Sequence, residues 1–181
     1  MIYIIGGVPR SGKTTVKKLM AMKSGVSGIG TDDLIDVLQT AAPQVGIKFG
    51  NPSGENKLKL IPFIDALIAQ MIRNHEDYLI EGDEFDFDHI QRLKENPQIK
   101  ICFIGYKDVE IETKLQATRT AALKGDWTFM HSDDELKEIL LKYKKKSVDL
   151  EKTCEEIGVK YFDTSNDYNE VLNKVIEYLS R

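Results

Sequence analysis

The sequence predicts an α/β fold of three layers, in which helices cover both faces of a parallel β-sheet. Five short apolar runs have the character of buried strands, and longer segments with helical periodicity separate them. With 181 residues, the chain fits one domain with a core of its own. The predicted strands cover residues 2–6, 26–30, 78–82, 99–105 and 158–162.

The first predicted strand leads directly into residues 7–14, Gly-Val-Pro-Arg-Ser-Gly-Lys-Thr, which have the form G-x-x-x-x-G-K-[ST]. A helical pattern with Val16, Leu19 and Met20 on one face follows. Strand, glycine-rich turn and helix is the context that this motif requires. We therefore predict that residues 7–14, called the phosphate loop below, bind the phosphates of a nucleotide.

The residue types of the phosphate loop suit a magnesium-bound triphosphate. Gly7 and Gly12 lack a Cβ, so the backbone N–H groups can approach a polyphosphate at the positive end of the following helix. Lys13 is expected to reach the β- and γ-phosphates, and the Thr14 hydroxyl is expected to contact Mg²⁺. Thr15 either contacts the α-phosphate or is an ordinary helix residue. The predicted ATP-binding residues are Gly7, Pro9, Arg10, Ser11, Gly12, Lys13, Thr14 and Thr15.

Two aspartates follow directly after the second predicted strand. Ligands of parallel sheets bind at the carboxyl ends of the strands, so residues at this position are candidates for a site. Thr31 is expected to cap a helix, with Asp32 and Asp33 in its first turn, where the helix dipole favours negative charge. The functional interpretation makes one of them, for which we choose Asp32, a base. It would accept the proton of a substrate hydroxyl as that hydroxyl attacks the γ-phosphate.

Two further carboxylates lie at the end of the third predicted strand. Glu81 and Asp83 are both candidates to support Mg²⁺ through its water ligands. The pattern does not distinguish the two.

Residues 34–77 form a long insertion that is expected to shape a substrate-binding wall. A turn is predicted at residues 51–54, before an apolar helical stretch that runs from Leu60 to Met71. The basic residues of this insertion are a weak indication of an anionic substrate, because lysines usually lie in water. They are Lys48, Lys57, Lys59 and Arg73.

Residues 108–146, called the lid segment below, are predicted to fold over the nucleotide as helices. Ser132 and Glu135 have capping-box spacing, which predicts a helix from Ser132 to about Lys146. We choose Arg119 as the arginine that would move toward the nucleotide when the lid segment closes and neutralise the transferred phosphoryl group. The alternative is that Arg119 is a helical arginine exposed to solvent. A cluster of lysines is expected to end the second helix, where cations suit its dipole, namely Lys142, Lys144, Lys145 and Lys146.

The phosphate loop, Thr31-Asp32-Asp33 and Ile80-Glu81-Gly82 together resemble the pattern of small P-loop kinases of the adenylate-kinase-like group. The chain looks closest to polynucleotide kinases, chloramphenicol phosphotransferases, zeta-toxin-like kinases and 2-phosphoglycerate kinases. This resemblance implies a P-loop NTPase fold with strand order 2-3-1-4-5, a mobile helical lid and a general base at Asp32. Residues 81–85, Glu-Gly-Asp-Glu-Phe, depart from the Asp-Gly-x-Pro-Arg of nucleoside monophosphate kinases, which disfavours a nucleotide acceptor.

Composition excludes several other classes. The net charge of −4 and the pI of about 5.5 provide no bulk attraction for nucleic acid or an anionic membrane. No apolar run approaches the roughly 20 residues that cross a bilayer, so we expect no membrane association and a cytoplasmic location. No pattern in the sequence indicates an oligomeric state.

The leading hypothesis is a single P-loop kinase domain over residues 1–181 that depends on ATP and Mg²⁺. It would transfer the γ-phosphate to a hydroxyl, or a phosphate, of a small-molecule acceptor. The alternatives are a nucleoside monophosphate kinase and an ATP-binding regulator or toxin-like protein that serves a partner. The identity of the acceptor is not encoded in any recognisable motif.

Overall fold

The computed structural model describes residues 1–50 and 54–180, so the turn predicted at 51–54 lies largely outside the described residues. Within these residues, no helix combines the length and apolar character needed to cross a membrane. The strands are β1 (Ile2–Gly7), β2 (Ser27–Gly30), β3 (Tyr78–Gly82), β4 (Ile99–Gly105) and β5 (Lys160–Asp163). The helices are α1 (Lys13–Ser24), α2 (Thr31–Ala41), α3 (Glu55–Arg73), α4 (Phe87–Leu93), α5 (Ile111–Ala121), α6 (Asp133–Ile157) and α7 (Tyr168–Ser180), with 3-10 turns at Pro43–Val45 and Trp127–Met130.

The five strands form one parallel sheet in the order β2-β3-β1-β4-β5, which confirms the predicted topology. The register pairs Gly6 with Gly82, and it pairs Gly30 with Glu81. The carboxyl ends of β1, β2 and β3 therefore meet at one edge of the sheet. That edge carries the phosphate loop and the acidic residues that the sequence places after β2 and β3.

Helices cover both faces of the sheet because the residues of β1 are apolar on both sides. Ile4 packs in a cluster with Ile64 of α3, whereas Ile5 packs in a second cluster with Val16 of α1 and Leu172 of α7. All five side chains are at most 1% exposed. Burial of a side chain of this size contributes about 1.5–3 kcal/mol, so the two clusters fix the sheet between its helical layers.

The start of α2 differs from the prediction that Thr31 is its cap. Gly30 occupies the cap position, and its N–H donates to the Asp33 carboxylate at 3.0 Å. Thr31 is the first helical residue, with its side chain 1% exposed against β3. A Cβ at Gly82 would lie 1.8 Å from the Thr31 hydroxyl oxygen, so only glycine at the end of β3 leaves room for Thr31.

Helix α6 begins after Ser132, as predicted, but the predicted end near Lys146 is wrong. The Ser132 hydroxyl accepts from the Glu135 N–H, and the helix continues to Ile157. It continues because Cys154 extends its buried face beyond the lysines, and it stops at Gly158, whose φ is 67°. The four lysines therefore lie inside the helix rather than at its end, and β5 begins at residue 160 rather than 158.

Candidate active site

The phosphate loop leaves β1 through Gly7, which has a φ of 143°. A Cβ at this position would lie 2.1 Å from the Ile104 carbonyl oxygen of β4, so no other residue fits here. Gly12, with a φ of 111°, is the cap of α1 and directs the first N–H groups of that helix toward the loop. The loop thus has the positive backbone angles and the helix terminus of an anion-binding cradle.

Lys13 lies at the centre of this cradle. Its ammonium donates to the carbonyl oxygens of Gly7 and Val8, both at 2.9 Å, and the residue is 8% exposed. Burial lowers the pKa of Lys13, and the carboxylates of Asp83, Glu81 and Asp32 partly offset that shift. These three carboxylates are therefore close enough to Lys13 to interact with its charge.

Of the two carboxylates at the end of β3, Glu81 contacts the loop. The Thr14 hydroxyl donates to a Glu81 carboxylate oxygen at 2.9 Å, and the Lys17 ammonium lies 3.2 Å from the same oxygen. Lys17, which also lies 3.6 Å from Asp33, was missed by the sequence analysis although it is one helical turn after Lys13. Asp83, the other candidate, makes no hydrogen bond or ion pair within the described part of the chain.

The oxygen atoms of Thr14 and Glu81 are of the kind that Mg²⁺ prefers. Among the described residues, no group of three or more His, Cys, Asp or Glu side chains is arranged to hold a metal ion. A magnesium ion here would need phosphate oxygens and water as its other ligands. Such a ligand set is the usual one for magnesium at a nucleotide-phosphate site.

Asp32 and Asp33 differ in what they contact. Asp33 is engaged with the Gly30 N–H and with Lys17, whereas Asp32 has no hydrogen bond or ion pair to any other described residue. The Asp32 residue is exposed to solvent. Nearby protein still removes part of the water around its carboxylate, which raises its pKa, and the charge of Asp83 adds to that rise. An accessible carboxylate with a raised pKa and no partner suits proton acceptance better than a capping carboxylate does.

A cavity of about 270 Å³ opens beside the phosphate loop, and we call it the side cavity. It lies between the loop, the segment after β3, the start of α3 and the middle of α6. The insertion and α6 therefore each provide a wall. Its charged lining residues are Lys57, Asp83, Glu84, Lys146 and Asp149, and its apolar lining includes Phe85, Phe87, Phe103 and Leu150.

Arg119 is bound within the lid segment itself. Its guanidinium donates to Asp133 at 2.7 and 2.9 Å, to the Thr128 carbonyl at 2.5 Å and to the His131 carbonyl at 2.8 Å. These bonds tie α5 to the start of α6. The role predicted for Arg119 at the transferred phosphoryl group requires these bonds to be exchanged when a nucleotide binds.

The lid segment contacts the phosphate loop through other residues. Arg10 pairs with Asp126 and lies 5.4 Å from the Trp127 ring centroid. The Lys114 ammonium donates to the Arg10 carbonyl at 2.7 Å and lies 4.1 Å above the Tyr106 ring. Burial and the neighbouring Arg10 charge lower the pKa of Lys114 to about 8. The sequence analysis did not find these contacts, because their partners are about a hundred residues apart in the chain.

The chain is similar in fold to solved structures of small kinases. A shikimate kinase from Bacteroides thetaiotaomicron is 17% identical with a TM-score of 0.61, and the match covers 100% of this chain and 99% of that one. A sugar kinase from Janibacter sp. HTCC2649 is 14% identical with a TM-score of 0.59, covering 99% and 94%. A gluconokinase from Sinorhizobium meliloti 1021 is 15% identical with a TM-score of 0.56, covering 99% and 91%.

At these identities the likeness shows the fold alone. It is the fold of small P-loop kinases and it extends over the whole chain, in agreement with the resemblance seen in the sequence. It does not select any of the kinase groups that the sequence resembles most closely. No protein-family model matches the chain, and neither does any curated protein sequence.

Proposed function

We propose that this protein is an ATP- and Mg²⁺-dependent kinase that transfers the γ-phosphate to a hydroxyl of a small-molecule acceptor. The observation that carries the proposal is an unpaired Asp32, with a raised pKa, close enough to interact with the charge of Lys13 and with Asp83 and Glu84, two residues that line the side cavity. A phosphate site, a base and a cavity for an acceptor are the three parts that phosphoryl transfer requires. The overall likeness to small kinases supports the same conclusion.

The phosphate loop would bind the triphosphate through its backbone N–H groups, with Lys13 moving from the carbonyls of Gly7 and Val8 onto the phosphates. Thr14 and Glu81 would hold the magnesium ion, directly or through water. The bound ion supplies positive charge that neutralises the phosphate oxygens. The γ-phosphate would then lie toward the side cavity, because Gly7 and Val8 belong to the phosphate loop and also line that cavity.

Asp32 would take the proton of the acceptor hydroxyl as its oxygen attacks the γ-phosphorus. The new bond joins the acceptor oxygen to that phosphorus, and the bond to the oxygen bridging the β- and γ-phosphates breaks. ADP leaves with the bridging oxygen, and the proton stays on Asp32 until it passes to water. Arg119 would join Lys13 in neutralising the phosphoryl group once the lid segment closes and excludes water.

The proposal is tested by following γ-labelled phosphate from MgATP onto a mixture of small metabolites. We expect label to appear on an organic acceptor, and we expect Asp32→Asn to slow the transfer about 10²–10⁴-fold. Asp36→Asn is the matched control, because Asp36 lies one turn later on α2 with an exposed side chain and should leave the rate unchanged. Release of inorganic phosphate alone, equal in all three proteins, would contradict the proposal.

The two alternatives give different results in the same assay. A nucleoside monophosphate kinase would transfer label to one member of a panel of nucleoside monophosphates and to no other metabolite. A regulatory ATP-binding protein would bind MgATP, transfer label to no small molecule and copurify with a partner chain. Either outcome would replace the proposed function.

A further inference from the structure

Two residues of the phosphate loop, Pro9 and Arg10, are held at their backbone by residues outside the loop. The Tyr106 hydroxyl donates to the Pro9 carbonyl at 3.1 Å, and the Lys114 ammonium donates to the Arg10 carbonyl at 2.7 Å. Tyr106 and Lys114 are both buried. Arg10 has a φ of 64°, a left-handed conformation that is uncommon for a residue with a side chain, and the two bonds help to hold it. The Arg10 side chain therefore extends from a fixed point of the loop.

That side chain contacts the lid segment, where it pairs with Asp126 and lies 5.4 Å from the ring centroid of Trp127. The Arg10 side chain is only 20% exposed, and that of Asp126 is 16% exposed. A covered guanidinium leaves its carboxylate readily only if another anion replaces it, because an unpaired charge in such a place is costly. Arg10 is three residues before Lys13 in the phosphate loop, so a triphosphate bound to the loop would supply that anion.

Asp126 also organises the turn that follows it. The carboxylate oxygen that pairs with Arg10 accepts from the Thr128 N–H at 3.0 Å and from the Thr128 hydroxyl at 2.9 Å. The Thr128 carbonyl in turn accepts from Arg119. A series of hydrogen bonds therefore links Arg10 to Arg119 through the turn after Asp126. The phosphate loop is thus connected to the arginine that the proposed mechanism requires at the phosphoryl group.

We propose that the Arg10–Asp126 pair is a latch between the lid segment and the phosphate loop, and that a bound triphosphate opens it by taking the guanidinium from Asp126. This inference rests on the proposed binding of MgATP, and it adds a means by which that binding acts on the lid segment. A triphosphate offers several negative charges and pairs of oxygen atoms that match the planar guanidinium, so it competes well with one carboxylate. Once Arg10 has changed partner, the turn after Asp126 is free of the loop and the lid segment can bring Arg119 to the nucleotide.

The first test measures the affinity of the full chain for Mg²⁺ with a non-hydrolysable ATP analogue, by calorimetry. Asp126→Asn keeps an oxygen that can accept from Thr128 but removes the charge that holds Arg10, so the analogue should bind about fivefold more tightly or better. Asp134→Asn is the matched control, because it makes the same change of charge at an exposed residue in the first turn of α6. It should leave the affinity unchanged. An equal gain in both variants, or no gain in Asp126→Asn, would overturn the inference.

A double-mutant cycle determines whether the gain depends on Arg10. In an Arg10→Met background, Asp126→Asn should leave the affinity for the analogue unchanged, because the guanidinium for which the two anions compete is absent. The same gain in that background would show that Asp126 acts on the nucleotide by another route, and the latch would be wrong. Cooperative thermal unfolding above the assay temperature establishes that each variant is folded.

The unaltered protein supplies a test that needs no variant, because Trp127 is the only tryptophan in the chain. Its ring lies beside the Arg10 guanidinium, so a change of partner by Arg10 should change the tryptophan emission when the analogue binds. Binding of the analogue without any change in emission would overturn the latch and leave the proposed kinase function standing. If the analogue does not bind to the folded protein at all, the proposed function fails and the latch fails with it.

Discussion

The phosphate loop and the side cavity adjoin each other, but their polar groups are arranged in opposite ways. In the loop, the Lys13 ammonium is satisfied by carbonyl oxygens of its own segment, at 2.9 Å from Gly7 and Val8. In the cavity, Lys57 and Lys146 come from two distant helices, and neither has a carboxylate partner in the described chain. The lysine of the loop is thus bonded within its own segment, whereas the charged side chains that line the cavity are not paired with one another.

This difference indicates where affinity and selectivity arise. A preformed loop binds any nucleoside triphosphate tail, because it recognises phosphates through backbone N–H groups. A cavity lined by side chains of mixed charge and polarity discriminates among acceptors according to the shape and the polar groups of each one. We therefore expect nucleotide binding and acceptor binding to respond to different substitutions.

The largest expected effect comes from the loop. Lys13→Ala should reduce phosphoryl transfer about 10³-fold or more, because the variant lacks the ammonium that neutralises the transferred group. Label transfer from γ-labelled ATP measures the rate, and calorimetry with MgATP measures binding. Lys18→Ala on the exposed face of α1 is the control. A Lys13→Ala protein with the parent rate would separate the loop from catalysis altogether.

If Asp32 is the base, as proposed, the rate should change tenfold per pH unit on the acid side of the pH profile. Asp32 must be ionised to accept a proton, and its pKa is raised above the usual range of an aspartate, so kcat/KM should fall as the pH decreases through that raised pKa. Asp83 contributes to the rise, so Asp83→Asn should move the acid limb of the pH profile to lower pH. An unchanged limb in Asp83→Asn would show that another group controls it.

The same contrast explains what the sequence could predict. Gly7 and Lys13 belong to one continuous motif, so the loop could be located from spacing alone. Glu81 could not be chosen over Asp83, because its contact with Thr14 depends on how β3 ends beside α1. Lys57 was only a weak indication of an anionic ligand, and Lys146 was assigned to a helix end, because nothing local shows that α3 and α6 meet at one cavity.

The end of α6 shows how a local rule can be overridden. The lysines before Ser147 suit a helix terminus, yet Ser147, Leu150 and Cys154 continue a face that packs on the sheet. The Ser147 hydroxyl accepts from the Tyr106 N–H at 3.1 Å, which fixes the helix against the end of β4. Packing partners far away in sequence therefore set the helix length, and with it the position of Lys146 at the cavity.

A smaller effect is expected at the junction that positions Asp32. Gly82→Ala would place a Cβ 1.8 Å from the Thr31 hydroxyl oxygen, which should cost about 1–3 kcal/mol of unfolding free energy and displace the start of α2. Chemical denaturation measures the loss, and MgATP binding should be largely kept because the phosphate loop is not touched. Thr31→Ala in the same background removes the clashing oxygen and should recover part of the stability. No recovery would mean that the strain lies elsewhere.

The smallest expected effect tests the contact between the lid segment and the loop. The pKa of Lys114 is lowered to about 8, so between that value and the unfolded value of 10.5 the unfolded chain binds more protons than the folded one. Unfolding free energy should therefore rise with pH in this window, by roughly 1 kcal/mol per pH unit from this group. Lys114→Met should remove that rise, as measured by denaturant unfolding at pH 8 and 9.5.

The same lysine links the lid segment to nucleotide binding. Lys114 donates to the Arg10 carbonyl of the phosphate loop, and the Arg10 charge helps to lower its pKa. A bound triphosphate brings negative charge to the loop and should raise the pKa of Lys114, so MgATP binding at pH 8 should take up protons. Calorimetry in buffers of different ionisation enthalpy measures that uptake, and Lys114→Met should reduce it. Equal uptake by both proteins would show that Lys114 does not sense the phosphates.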